Sequence, residues 1–102
     1  MMTTYRNHPV SSYRSVVEDP TQFIDVREPD EVASGTIDGA VNIPLGDLPN
    51  RLDDLEPTRR VVVLCRSGAR SRKAAELLSA AGFGDVVNLE GGMLALTQQS
   101  NP

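Results

Sequence analysis

Val61-Val62-Val63-Leu64-Cys65-Arg66-Ser67-Gly68-Ala69-Arg70-Ser71 decides the reading of this chain. Its first four residues are branched and apolar without alternation, the pattern of a central parallel strand buried on both faces. Cys65 to Arg70 form a Gly-containing loop, and Ser71 is expected as the N-cap of a following helix, RKAAELLSAA. That helix buries Ala74, Ala75, Leu77, Leu78 and Ala81 and stops at Gly82. Ligands of open α/β sheets bind at the carboxyl ends of strands, where Cys65 falls.

Working outward, Thr21–Val26 reads as a second buried strand behind a Pro turn. Pro29, Asp30 and Glu31 suit the first turn of a short helix running to about Ser34 and ending at Gly35. Ala40–Ile43 is a small strand closed by Pro44. Leu48, Leu52 and Leu55 recur at helical spacing, with Pro49 in the first turn. Val86-Val87 is a fourth strand, and Gly91-Gly92 turns into a terminal helix around Leu94. Ser11–Glu18 offers one further helix, capped by Ser11 or Ser12, while Thr97–Pro102 reads as a frayed tail. Strands alternating with helices give an α/β class with a largely parallel sheet.

The chain has 102 residues, enough for one domain and no second core. Its 39% hydrophobic content argues against disorder. Ten basic against fourteen acidic residues give a net charge of −4, which does not suit a nucleic-acid binder. A single cysteine excludes an intrachain disulfide and a thiolate metal cluster. The first twenty residues lack an apolar signal core, and no run approaches the ~20 apolar residues of a membrane span. The expected home is the reducing cytoplasm, without a membrane partner.

The charges are unevenly placed. Arg59, Arg60, Arg66, Arg70, Arg72 and Lys73, six of the ten cations, surround Cys65 in a window without Asp or Glu. A loop curling into a helix N-terminus aims backbone N–H groups at one point, and the dipole adds positive charge. Gly68 permits the backbone angle the curl needs. Such surroundings depress a thiol pKa from ~8.5 to roughly 3.5–7.5, and the same donors bind an oxyanion. Arg66 and Arg70 belong to that cradle, with Arg59, Arg60, Arg72 and Lys73 supplying a broader field at its mouth. The bland alternative is a strand-end cysteine acting as a small buried hydrophobe, with solvated arginines around it.

Four blocks in order, DVREPDE (25–31), GTIDGAVNIPL (35–45), VVVLCRSGARS (61–71) and NLEGGMLAL (88–96), resemble the single-domain rhodaneses. The resemblance implies a three-layer fold, a largely parallel sheet of about five strands flanked by helices. It implies one domain over residues 1–102, its core at about 21–96 between an N-terminal arm and a short C-terminal tail.

The resemblance further implies sulfurtransferase chemistry through a persulfide on Cys65. Arg66, Ser67, Gly68, Ala69, Arg70 and Ser71 then bind the anionic substrate, and Asp25 and Arg27 support the site as scaffold. The implied partners are a small anionic sulfur donor such as thiosulfate and a thiol, protein or cyanide acceptor, with no metal or organic cofactor. Two departures stand out: Thr36 replaces the family's usual histidine and Leu96 its usual tryptophan. The only histidine, His8, is expected on the surface, away from the motifs. Two other readings stay open. One is a non-catalytic rhodanese-like module that docks a partner or senses redox state. The other is an oxyanion phosphatase or arsenate reductase, disfavoured by the four-residue spacing between Cys65 and Arg70 and by the missing second thiol.

Overall fold

The computed structural model describes residues 4–99. Five strands form one sheet: β1 (Arg6–Pro9), β2 (Gln22–Asp25), β3 (Val41–Asn42), β4 (Val61–Leu64) and β5 (Val86–Glu90). Their order across the sheet is β1-β5-β4-β2-β3, and every pairing is parallel. Three α-helices accompany them: α1 (Pro29–Ala33), α2 (Ala69–Ala80) and α3 (Gly92–Gln99). The expected α/β architecture of about five parallel strands is what the chain adopts.

The apolar run of β4 explains the layering. Val61 and Val63 face one core with Ile24, Val86, Ala74, Ala75 and Leu78, on the α2 side. Val62 and Leu64 face the other, with Phe23, Val87, Leu89 and Val10, against which Met93, Ala95 and Leu96 of α3 pack. Successive residues of a strand point to opposite faces, so an uninterrupted apolar run requires cover on both. Leu96, standing where the family usually has Trp, is therefore packed against the second core.

Several local expectations are corrected. Helix α2 begins at Ala69, with Gly68 at its N-cap and left-handed at φ 105°. Ser71 is thus inside the first turn and is not the cap. Of the five residues expected to be buried on α2, Ala74, Ala75 and Leu78 are buried, Leu77 is partly so and Ala81 is exposed. The leucine-spaced segment forms two 3-10 turns, Leu48–Asn50 and Leu52–Asp54, separated at Arg51 by a non-helical backbone (φ −115°, ψ 8°). So short a segment cannot repay helix nucleation, and burial of Leu48 anchors it instead.

At the N-terminus, Val10–Ser15 forms 3-10 turns preceded by Pro9, without a serine side-chain cap. The arm before it is not loose: Arg6–Pro9 pairs with Val87–Glu90 as the edge strand β1. His8 is partly exposed there, its Nε2 lying 3.1 Å from the Ser12 carbonyl and 3.2 Å from the Ser15 hydroxyl. Thr97–Gln99, expected to fray, continues α3, with the Thr97 hydroxyl donating to the Met93 carbonyl at 2.9 Å. The rest of that expected tail, residues 100–102, lies outside the described residues.

Candidate active site

Cys65 follows β4 at the carboxyl edge of the sheet and is buried, at 1% relative exposure. The Gly68 N–H donates to its sulfur at 3.0 Å, and the Ser71 hydroxyl donates from 3.3 Å. Burial alone pushes the thiol pKa up. The Ser71 hydroxyl and the backbone N–H groups of Ser71, Gly68 and Ser67 outweigh it, leaving the thiol below its ordinary value. A buried sulfur surrounded by donors is not an inert hydrophobe, because those donors gain most when it carries negative charge.

The left-handed Gly68 makes the curl possible. A second glycine feature holds it from behind. The N–H groups of Met93 and Leu94, at the start of α3, donate to the carbonyls of Cys65 and Arg66, both at 2.9 Å. With the Arg66 carbonyl engaged by α3, the Ser67 N–H that follows it is one of the backbone groups left for the sulfur. Gly92 lies so close that a Cβ there would come within 2.5 Å of both carbonyl oxygens. The sequence signal for this support is the Gly91-Gly92 pair, which by itself indicates only a turn.

The arginines do not all share one task. Arg66 is exposed and makes no ion pair among the described residues. Arg70 is bound at both ends of its fork by Glu31 of α1, Nη1 to Oε1 at 2.6 Å and Nη2 to Oε2 at 2.8 Å. The Arg70 guanidinium, with a backbone hydrogen bond at Glu28, holds the Glu31 carboxyl down at about 2. Linear charge counting missed Glu31, because it arrives at the loop from thirty-nine residues upstream. Arg59 and Arg60 belong to the opposite end of β4. Arg59 reaches the Pro20 carbonyl and Glu56, and Arg60 pairs with Asp85 at 2.9 Å. The broad cationic field expected at the mouth therefore loses both of them. Arg72 and Lys73 are exposed on α2, and Ser67 and Ala69 are exposed on the loop.

Asp25 and Arg27 form a buried pair behind the loop. Arg27 Nη2 and Nε donate to the Asp25 carboxylate at 2.8 and 3.0 Å, and Arg27 also reaches the Gly35 carbonyl at 2.7 Å. Burial raises the Asp25 pKa, but the hydrogen bonds from Arg27 and from Thr36 bring it below its ordinary value. Thr36 donates to Asp25 Oδ2 at 2.7 Å. The residue standing in for the family's histidine thus serves as a third anchor for this carboxylate. Beside these residues opens a groove of about 410 Å³, whose walls include Arg27, Glu31, Thr36, Arg66, Met93 and Leu94.

Comparison with known proteins bears on the family and the fold. The family model of the rhodanese-like domain matches residues 10–99. YtwF of Bacillus subtilis is 44% identical over 80 residues, covering 78% of this chain and 77% of that one. The thiosulfate sulfurtransferase GlpE of Shewanella oneidensis is 32% identical, covering 92% of this chain and 94% of that one. Among solved structures, a rhodanese-related protein of Thermoplasma volcanium superposes with a TM-score of 0.82 at 32% identity, covering 96% of each chain. The chain belongs to the rhodanese-like domain family, whose members similar to it include sulfurtransferases.

Proposed function

We propose that this protein is a sulfurtransferase that carries sulfane sulfur on Cys65, taking it from a small anionic donor such as thiosulfate. The observation that carries the reading is the convergence of the Gly68 N–H and the Ser71 hydroxyl on the Cys65 sulfur. Both favour the Cys65 thiolate that the first displacement consumes and the second restores. In the first half-reaction the thiolate attacks the outer sulfur of thiosulfate. A Cys–S bond to sulfur forms, the donor's S–S bond breaks, and its electron pair leaves on sulfite. An acceptor nucleophile, cyanide or a thiolate, then attacks the outer sulfur and returns the Cys65 thiolate. This is covalent catalysis in two displacements, and it needs no general base when the thiolate is already formed.

Ser67, Gly68, Ala69, Arg70 and Ser71 shape the loop in this reading, and Arg66 offers the unpaired charge that draws the donor. Asp25 and Arg27 act as scaffold. Incubation with thiosulfate followed by intact-mass measurement should show one added sulfur, removed by cyanide as thiocyanate and absent in Cys65→Ser. An unchanged wild-type mass across donors would overturn the reading.

A further inference from the structure

Three guanidinium groups flank the cysteine loop, and two are already engaged. Arg27 is buried against Asp25, and Arg70 is held in both arms of its fork by Glu31. Of these three, Arg66 is the one with no ion pair to a described residue, and it lies on the wall of a groove that also presents Glu31, Met93 and Leu94. We propose that Glu31 is a specificity-determining residue: by engaging Arg70 it cancels one charge at the mouth and favours singly charged sulfane donors with an apolar body over doubly charged thiosulfate.

The proposal rests on the sulfurtransferase reading and adds a donor class to it. Glu31 acts through Arg70 and does not itself reach the sulfur. A donor approaching Arg70 meets a neutral pair instead of a cation, and a second negative charge on the donor gains little there. The apolar side chains of Met93 and Leu94 suit an organic substituent better than a third sulfonate oxygen. Thiosulfate and methanethiosulfonate separate these effects. Both transfer their outer sulfur to the Cys65 thiolate, releasing sulfite or methanesulfinate respectively, but the first carries two charges and the second one.

The test uses Glu31→Gln in the full chain. Glutamine keeps an oxygen for the Glu28 N–H, which Glu31 accepts at 3.0 Å to cap α1, while removing the charge that holds Arg70. An unmasked cation at ~8 Å in a wet cleft is worth about threefold per unit of donor charge. Loading kcat/KM should therefore rise about tenfold with thiosulfate and about threefold with methanethiosulfonate, mainly through KM. Glu31→Asp should keep a ratio close to wild type, and Arg70→Ala alone should shift the ratio the opposite way, by removing the cation that Glu31 offsets.

An equal change with both donors, or an unshifted donor ratio in Arg70→Ala, overturns the role of Glu31. So does a uniform loss with both donors, which would make Glu31 merely structural. Failure of the underlying reading looks different: wild type would then accept sulfur from neither donor.

Discussion

The Ser71 hydroxyl donates to the Cys65 sulfur over 3.3 Å from inside the first turn of α2, with the Gly68 carbonyl also in reach at 3.2 Å. It is the largest of the interactions holding the thiol below its ordinary pKa. Ser71→Ala should move the midpoint of thiol alkylation to higher pH and slow alkylation severalfold at neutral pH, while the maximal rate at high pH survives. The pH profile of iodoacetamide labelling reads this directly. An unshifted profile would mean that the backbone N–H groups suffice.

Gly92 should tolerate no side chain. A Cβ would press to 2.5 Å on the Cys65 and Arg66 carbonyl oxygens, and the residue sits at φ +58°. Gly92→Ala should cost about 2–4 kcal/mol from overpacking and backbone strain together. Urea denaturation measures the loss. Sulfur loading should fall even where the variant is fully folded, because the carbonyls that α3 positions would shift.

Asp25 and Arg27 illustrate the asymmetry of buried charge. Both are buried, so removing one leaves the other unpaired, which costs about 3–5 kcal/mol. Asp25→Ala should show that loss in chemical denaturation. Thr36→Val removes one donor to the same carboxylate and should cost about 1.5–3 kcal/mol, the range for a hydrogen bond to a charged group.

Acid should weaken the fold through Glu31. Its folded pKa of about 2 lies below the ordinary 4.5, so between these values the unfolded chain binds more protons. Its contribution is present above about 4.5 and is lost as pH falls through about 2. Asp25 and Asp85, both lowered by arginine partners, act in the same direction. Stability against pH should be flatter in this window for Glu31→Gln than for wild type, as followed by thermal melts.

What could be read from the sequence follows the range of the interactions. Strands β2, β4 and β5 announce themselves because burial on both faces demands an apolar run. Arg6-Asn7-His8-Pro9 has no such run, and it becomes a strand only because Val87–Glu90 offers it a ladder eighty-one residues later. The cysteine, its glycine and the following helix are local and legible. Glu31 on Arg70 is not, since charge patterning along the chain sees only neighbours. Ser71 reads from sequence as a cap whose hydroxyl accepts from the helix, whereas in the fold it lies inside the first turn and donates to the sulfur. The link from α3 to the Cys65 and Arg66 carbonyls is likewise tertiary, with two glycines as its only trace.

The contact of α3 with the cysteine loop also sets an order of assembly. During synthesis Cys65 and the whole of α2 emerge before Gly92, Met93 and Leu94, so the nascent thiol exists while its cradle is still unbraced. The bracing of the loop is therefore gained only once α3 is in place. A chain that has not yet seated α3 would hold a looser cradle, so that the reactivity of the nucleophile reports the docking of that helix.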